Sequence, residues 1–334
     1  MPDSNSKPFD VITIGDSTID TFIKVHDASV QCDIHHEECK ICVTYGDKIP
    51  VDAIGHGVAG NAANVAVGCK KLGLSTGIYT NLGGDSAGKA IMEVFVNAGV
   101  STEYVVMNEK MDSNLSVILT FQGERTAFVY HQDWSYRLPN LADTYWLYFT
   151  SVAESFTSSN IVEEICQYVD RRGAKLVYSP GTLQIKADVK RYPRILEKCE
   201  VLIINLEEAK KILDIDQKDQ VDIKKLLSQL HLLGPKKIVV TDGADGSYAS
   251  DGLVDLKLGV LPIKVVEKTG AGDAFSAGLI SALRLGKTFE EALVWGTINS
   301  ASVIKHLGPQ SGLLTLSEVE KGRSVMSDFA AVKL

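Results

Sequence analysis

The chain has 334 residues, of which 45% are hydrophobic and 23% are charged. This composition is typical of a globular protein with one large domain or two modest ones. The formal net charge of -8 argues against a nucleic-acid partner, because phosphate binding needs a basic surface. No apolar run approaches the ~20 residues of a membrane helix, and the polar start of the chain lacks the apolar segment of a signal peptide. We therefore expect a cytoplasmic protein, with no membrane or nucleic-acid partner and mostly reduced cysteines.

Apolar runs bounded by glycines and capping residues divide the chain into alternating strands and helices. The first half predicts a strand at 9–15, a helix at 60–72, a strand at 76–82, a helix at 86–97 and a hairpin of strands at 115–121 and 126–131. The second half predicts strands at 146–149, 175–179, 201–204 and 236–240, a two-stranded stretch at 246–258, and two closing helices at 273–285 and 288–305. Ser86 is expected to be the N-cap of the helix at 86–97.

This alternation predicts an α/β fold in which helices cover both faces of a central, mostly parallel sheet. Two segments with β character, 23–57 and 112–135, interrupt the alternation. We expect these segments to form one small β-sheet lid, while residues 1–22, 58–111 and 136–334 form the main domain.

The most informative segment is Thr269-Gly270-Ala271-Gly272-Asp273, which leads directly into an apolar helix. Glycines allow a tight turn close to a ligand, and the free N–H groups of a helix N-terminus bind anions such as phosphate. A carboxylate at such a site repels phosphate, and it is useful there if it takes a proton from a hydroxyl that attacks the phosphate. Asp273 is therefore a candidate general base; the alternative is an ordinary helix start, where acidic residues are favoured.

Two loops that follow buried strands carry residues suited to a nucleotide and its magnesium ion. Glu208 is either an outer ligand of Mg²⁺ or one half of a capping box with Asn205. Thr241, Gly243 and Gly246 form either a loop around phosphates or a plain turn between two strands.

Gly60, Asn61 and Asn64 open the helix at 60–72. An amide both donates and accepts hydrogen bonds, so Asn61 and Asn64 suit a ligand with several hydroxyl groups. The alternative is tight helix packing with Asn61 as the N-cap.

A cluster of possible zinc ligands lies within the predicted lid. Its members are Cys32, His35, His36, Cys39 and Cys42. Structural zinc sites usually join two separated ligand pairs, and no second pair is evident here. We favour a chance cluster of thiols and imidazoles, and the sequence leaves zinc binding open.

Five motifs occur in a recognisable order along the chain. They are Gly-x-x-x-x-Asp at 15–20, Gly-Asn-x-x-Asn at 60–64, Asn-x-x-Glu at 205–208, Thr-x-Gly-x-x-Gly at 241–246 and Thr-Gly-Ala-Gly-Asp at 269–273. With these motifs the chain resembles the ribokinase-like, or PfkB, family of carbohydrate and nucleoside kinases over essentially its full length. The resemblance implies a ribokinase-like fold with a β lid over the substrate.

The resemblance also implies roles for individual residues. Asp273 would be the general base, and the amides of Gly270, Ala271 and Gly272 would form the anion hole for the transferred phosphoryl group. The other implied roles are sugar contacts by Asp20, Gly60, Asn61 and Asn64, nucleotide contacts by Asn205, Thr241, Gly243, Gly246 and Asn299, and an indirect, water-mediated contact of Glu208 with Mg²⁺.

The chain departs from the family pattern in three places. Ala59-Gly60 replaces a pair of glycines before the substrate helix. Glu267-Lys268 stands where Asp-Thr is usual, and since that Asp helps to hold an activating monovalent cation in related enzymes, activation by K⁺ stays open. The acidic sugar contact of ribose kinases has no clear match, although Ser151 and Glu154 lie near its place.

We therefore expect an ATP-dependent sugar kinase that uses Mg²⁺ and transfers the γ-phosphoryl group to a sugar hydroxyl. A homodimer that covers the exposed face of the lid is also expected. The alternatives are a nucleoside kinase and a catalytically silent, ligand-binding homologue. The aromatic residues available for a nucleoside base pocket are Phe22, Tyr104, Phe128, Tyr130 and Trp134.

Overall fold

The computed structural model of the chain describes residues 8–33, 39–122 and 124–334. The strands are β1 Phe9–Ile14, β2 Thr18–Val25, β3 Ser29–Cys32, β4 Cys39–Cys42, β5 Val51–Ala59, β6 Thr76–Gly83, β7 Ser101–Asn108, β8 Asn114–Phe121, β9 Glu124–Tyr130, β10 Thr144–Phe149, β11 Lys175–Tyr178, β12 Cys199–Asn205, β13 Lys237–Thr241, β14 Ser247–Ser250, β15 Asp255–Leu258 and β16 Val332–Lys333. The helices are α1 Asn61–Lys71, α2 Ser86–Ala98, α3 Ile161–Arg172, α4 Thr182–Lys186, α5 Pro193–Lys198, α6 Leu206–Ile212, α7 Ile223–His231, α8 Ala271–Arg284, α9 Phe289–Val303 and α10 Leu316–Val325. Among the described residues, no helix combines the length and apolarity that crossing a membrane requires.

The main sheet has ten strands, in the order β16-β15-β14-β13-β12-β11-β10-β1-β6-β7. The strands from β13 to β7 in this order are parallel to their neighbours, while β14, β15 and β16 form an antiparallel edge. Successive residues of a strand point to opposite faces. In β1, Ile12 and Ile14 pack on the side of α3, and Val11 packs on the side of α8 and α9. The predicted α/β fold is confirmed.

A separate sheet of four strands has the order β5-β2-β8-β9. Its β8 and β9 are the predicted hairpin, and β3 and β4 form a further two-stranded sheet. Because β2 begins at Thr18, residues 18–22, which the sequence assigns to the main domain, lie in the four-stranded sheet. The division of the chain into a main domain and a lid stays a prediction.

Two glycines shape the packing of α1 against α8 and the start of α8. A Cβ atom on Gly68 of α1 would lie only 2.7 Å from the Cβ of Ala277 in α8, so a larger residue would force these close-packed helices apart. Gly270 is the N-cap of α8 with φ of 79°, a left-handed conformation that glycine adopts at little cost. The start of α8 faces the start of α1, since the side chains of Asn61 and Asn64 donate hydrogen bonds to Asp273.

Two local predictions were wrong, and one open alternative is not realised. The N-cap of α2 is Asp85 rather than Ser86, because the Asp85 carboxylate accepts a hydrogen bond from the Gly88 N–H and also binds Ser113. The N-cap of α1 is Gly60 rather than Asn61, whose side chain is used elsewhere. The helices α8 and α9 do not close the fold, since a capping box at Thr315 starts α10 and β16 follows.

The cysteines of the possible zinc cluster are partly oxidised. Cys32 and Cys39 face each other across β3 and β4 and form a disulfide bond. The other cysteines, Cys42, Cys69, Cys166 and Cys199, are free thiols, as expected. A disulfide sulfur is not a thiolate ligand, and the described residues contain no group of three or more candidate metal ligands. His35 and His36 lie outside the described residues.

Candidate active site

Asp273 is a buried carboxylate in the first turn of α8, with 7% of its surface exposed. The side-chain amide of Asn61 donates to its Oδ1 at 2.8 Å, and the amide of Asn64 donates to its Oδ2 at 2.7 Å. Burial raises the pKa of Asp273, and the two amide hydrogen bonds oppose this effect because they stabilise the charged form. The carboxylate is therefore fixed in orientation and easier to protonate than an ordinary aspartate.

Two further hydrogen bonds set the direction in which these amides point. Ser151 Oγ donates to Asn61 Oδ1 at 3.0 Å, and Gln310 Nε2 donates to Asn64 Oδ1 at 3.0 Å. With each amide oxygen accepting, each amide nitrogen is directed at Asp273. The sequence suggested sugar contacts for Asn61 and Asn64 and noted Ser151 only by its position, and it provided no signal for Gln310.

The turn before Asp273 has the features of an anion site. Ala271 N–H donates to the Lys268 carbonyl at 3.3 Å, and the first α-helical hydrogen bond runs from Ala274 N–H to the Gly270 carbonyl at 2.9 Å. The N–H groups of Gly272 and Asp273 precede this bond, at the positive end of the helix dipole. An anion placed here would meet these N–H groups beside a buried carboxylate.

Asp20 reaches the same region from β2 of the four-stranded sheet. It is 5% exposed, and its Oδ1 is buried without a hydrogen-bond partner among the described residues. Burial raises the pKa of Asp20 to about 6, with repulsion from Glu267 and Asp273 adding to the effect and a Ser116 hydrogen bond opposing it. A hydroxyl group of a ligand would satisfy this oxygen, since buried polar atoms are normally hydrogen-bonded.

A cleft of about 520 Å³ opens on the other side of the α8 N-terminus. This volume lies within the range of small-molecule sites. The predicted nucleotide residues Thr241, Gly243 and Gly246 line it together with Ala271 and Gly272. These two residues belong to the turn Thr269–Gly272 before Asp273, here called the anion turn. Its apolar wall is formed by Val260, Leu261, Pro262, Ile263, Val265, Phe275 and Ile304. The cleft thus offers apolar contacts at one end and helix N–H groups at the other.

Asn205 and Glu208 lie beside this cleft, because Asn205 pairs with Thr241 across β12 and β13. They form a capping box, in which Asn205 N–H donates to Glu208 Oε2 at 2.9 Å and Glu208 N–H donates to Asn205 Oδ1 at 2.8 Å. The structural alternative for this motif is therefore realised. The cap uses one carboxylate oxygen of Glu208, and burial raises the pKa of this carboxyl.

Asn299 is not brought to the cleft. It is fully buried in α9, where its Nδ2 donates to the Ala274 carbonyl at 2.7 Å and its Oδ1 accepts from Leu314 N–H at 3.0 Å. These bonds hold α9 against α8, while the neighbouring residues Thr297 and Ser300 line the cleft.

Asp16 and Arg125 carry no sequence signal and emerge only from the fold. Asp16 follows β1 and accepts a hydrogen bond from the Tyr136 hydroxyl at 2.7 Å, while burial raises its pKa to about 7. Arg125 lies on β9, where its Nη1 donates to Thr269 Oγ1 and lies 3.6 Å from Glu267 Oε1. Their partners are more than a hundred positions away, so no local pattern could identify them.

Known proteins with similar sequence and structure are kinases. The chain is 25% identical over 318 residues to an ATP-dependent 6-phosphofructokinase of Thermoanaerobacterium thermosaccharolyticum, covering 91% of this chain and 90% of the relative. It is 24% identical over 339 residues to a 5-dehydro-2-deoxygluconokinase of Geobacillus thermodenitrificans, covering 96% and 95%. The ribokinase of Arabidopsis thaliana, solved with ribose and ATP, superposes with a TM-score of 0.76 at 19% identity, covering 94% of this chain and 98% of that one.

A family profile gives the assignment directly. The profile described as pfkB family carbohydrate kinase matches residues 21–316, which include Asp273 and the other motifs beyond Asp20. Sequence motifs, fold and profile agree, and the chain belongs to the pfkB family of carbohydrate kinases, phosphotransferases that act on hydroxyl groups.

Proposed function

We propose that the protein is an ATP-dependent sugar kinase that transfers the γ-phosphoryl group to a hydroxyl group of a sugar. The observation that carries this proposal is the position of Asp273. A buried carboxylate, held on both oxygens by asparagine amides, stands in the first turn of a helix whose N–H groups face an anion site. A base and an anion site in contact suit a hydroxyl that attacks a phosphoryl group.

The acceptor lies between Asp273 and the lid. Asp20 Oδ1 accepts a hydrogen bond from a sugar hydroxyl and so orients the ring, while a second hydroxyl approaches Asp273. As this hydroxyl attacks, its proton passes to Asp273, the new O–P bond forms and the bond from phosphorus to ADP breaks. Asp273 is easier to protonate than an ordinary aspartate because of its burial, which favours proton acceptance near neutral pH.

ATP occupies the cleft lined by Thr241, Gly243 and Gly246, with its γ-phosphate at the N–H groups of the Gly270–Gly272 turn. Preorganised N–H groups stabilise the charge of the transferring oxygens. Mg²⁺ would neutralise further charge on the phosphates, and Glu208, beside the cleft, is the residue suited to contact it through water. Glu208 uses one oxygen in its capping box, so the other oxygen is available to orient a water molecule of the ion.

A sugar is favoured over a nucleoside because the aromatic residues considered for a base pocket do not meet. Tyr104 and Trp134 are in the core, at 5% and 3% exposure. Phe128 and Tyr130 pair with Val117 and Leu115, and these residues point away from Asp20 by the alternation of the strands. The remaining residue, Phe22, cannot form an aromatic pocket alone.

The outer face of the four-stranded sheet supports a homodimer. Its register aligns Ile54, Leu115, Phe128 and Tyr130 on the face opposite to Asp20. Their exposed fractions are 59%, 38%, 60% and 52%. Monomeric proteins seldom expose large contiguous apolar patches, and a second copy of the chain would cover this one.

The proposal is tested by a coupled assay of ATP consumption with neutral sugars, sugar acids, sugar phosphates and nucleosides, each with Mg²⁺ or EDTA and with or without K⁺. We expect turnover with a sugar and Mg²⁺, and loss of about 10²–10⁴-fold in Asp273→Asn. Asp143→Asn is the matched control, because it removes a carboxylate that is 65% exposed at the opposite end of the strands. Binding of ATP without turnover on any acceptor would instead identify a silent homologue.

A further inference from the structure

Arg125 is the feature of the lid that the proposed function has not used. The register of the sheet aligns Lys24, Thr120 and Arg125 in one row. Asp20 lies four residues before Lys24 on the same strand, and residues two or four apart share a face. Arg125 is therefore on the face of the lid that carries Asp20.

The guanidinium of Arg125 spans the gap between the lid and the anion turn. Its Nη1 donates to Thr269 Oγ1, 144 residues away in the sequence, and lies 3.6 Å from Glu267 Oε1. Thr269 directly precedes Gly270, the N-cap of α8. The side chain of Arg125 is still 48% exposed, and a guanidinium has further N–H donors, so it retains donors for a ligand.

The charges around this guanidinium explain why a cation is needed. Asp20, Glu267 and Asp273 are 5%, 8% and 7% exposed, and all three carboxylates adjoin the place where the phosphoryl group is transferred. Charges at low exposure are weakly screened, so these carboxylates oppose the approach of an anion. Arg125 lies 3.6 Å from Glu267 and close enough to Asp20 to favour the charged form of that carboxylate.

Glu267 has the contacts of a residue that positions this cation. It accepts hydrogen bonds from Thr269 N–H at 2.7 Å and from Thr269 Oγ1, and it attracts Arg125. The same carboxylate thus shapes the start of the anion turn and holds the guanidinium beside it. These contacts give a physical role to Glu267, which stands where the family pattern usually has Asp.

We propose that Arg125 is a catalytic residue, whose guanidinium is carried by the lid to the transferring phosphoryl group, and that Glu267 positions it. The inference rests on the proposed function. In the reaction Arg125 gives up no proton and forms no covalent bond; it hydrogen bonds to the equatorial oxygens while the phosphoryl group moves from ADP to the acceptor oxygen. Such a contact is stronger in the transition state than in the ground state, so it acts on kcat.

The test compares Arg125→Ala and Arg125→Lys with Lys24→Ala. Lys24 is the matched control, because it belongs to the same row of the lid, pairs with Asp52 at 3.6 Å and is 65% exposed. The assay measures kcat, the KM values for ATP and for the acceptor, and the rescue of activity by added guanidinium ion. We expect kcat to fall by about 10²–10³-fold in Arg125→Ala and to be partly retained in Arg125→Lys. In Arg125→Ala both KM values should stay within about threefold of wild type, and added guanidinium ion should restore part of the activity. Lys24→Ala should retain wild-type kcat.

Three results would overturn the inference. An increase in the acceptor KM alone would mean that Arg125 binds the acceptor. An equal loss in Lys24→Ala would mean a general effect of lid charge. A loss of kcat that guanidinium does not rescue, together with a lower melting temperature, would mean a purely structural link between lid and turn. Failure of the proposed function gives a different result, because the wild-type protein would then phosphorylate no acceptor. If the wild type is active, Asp273→Asn is inactive and Arg125→Ala has wild-type activity, this inference alone is refuted.

Discussion

Replacing Asn64 by alanine tests whether the asparagines act on Asp273 or on the substrate. In the structure the Asn64 amide donates to Asp273 Oδ2 at 2.7 Å, and Gln310 holds that amide in place. Asn64→Ala removes one of two hydrogen bonds that stabilise the charged carboxylate. Burial, which raises the pKa of Asp273, is then less opposed. The pKa of Asp273 should therefore rise further, and the acid limb of the kcat profile should move to higher pH.

The size of the effect follows from the strength of one hydrogen bond to a charged group. Such a bond contributes about 1.5–3 kcal/mol, which corresponds to about 10- to 150-fold in the fraction of Asp273 that is ionised on the acid limb. Turnover at acidic pH should fall by this factor, while at alkaline pH, where Asp273 is ionised in both proteins, kcat should approach that of wild type. Gln310→Ala, which frees the Asn64 amide to turn, should produce a smaller shift in the same direction.

The measurement is kcat and the acceptor KM from about pH 5 to 9 for wild type, Asn64→Ala and Gln310→Ala, since the profile of kcat reports groups in the substrate complex. Asn97→Ala, at an exposed position of α2, is the control. A kcat that drops equally at every pH, together with a higher acceptor KM, would refute the reasoning. It would show that Asn64 contacts the sugar, as the sequence motif implies.

Three further predictions concern the other sites. The pKa of Asp16 is raised to about 7, so the folded state binds an extra proton between about pH 4 and 7, and the wild-type protein should lose stability as the pH rises through this window. Asp16→Asn should abolish this loss when the free energy of unfolding is measured in urea at pH 5.5 and 8. An equal decrease in both proteins between these pH values would contradict the prediction. Glu208→Gln should raise the Mg²⁺ concentration needed for half-maximal rate, whereas a change in melting temperature alone would leave only the capping box. Phe128→Lys should convert a dimer to a monomer in gel filtration at micromolar concentration, unlike Leu232→Lys at an 86% exposed position far from the lid; a monomeric wild type would rule out the dimer.

The fold and the central turn were largely predictable, because their causes are local. Alternating apolar runs predict the parallel sheet, and the hairpin of β8 and β9 follows from two strands around a short polar turn. The start of α8 depends on Gly270, whose φ of 79° few other residues adopt. The caps at Asp85 and Gly60 were not predictable, because neighbouring residues compete for each cap and side-chain partners elsewhere decided the outcome.

The sequence by itself determined that Asp273 stands in the first turn of a helix beside glycine N–H groups, because these residues are consecutive and a helix N-terminus is a local structure. It could not determine the partners of that carboxylate. Asn61 and Asn64 are 212 and 209 residues away from Asp273, and Arg125 is 144 residues away from Thr269. These contacts depend on the close packing of α1 against α8 and on the register of the four-stranded sheet. Such geometry is set by the whole fold, so only the tertiary structure decided that the asparagines hold the Asp273 carboxylate and that Arg125 of the four-stranded sheet contacts Thr269.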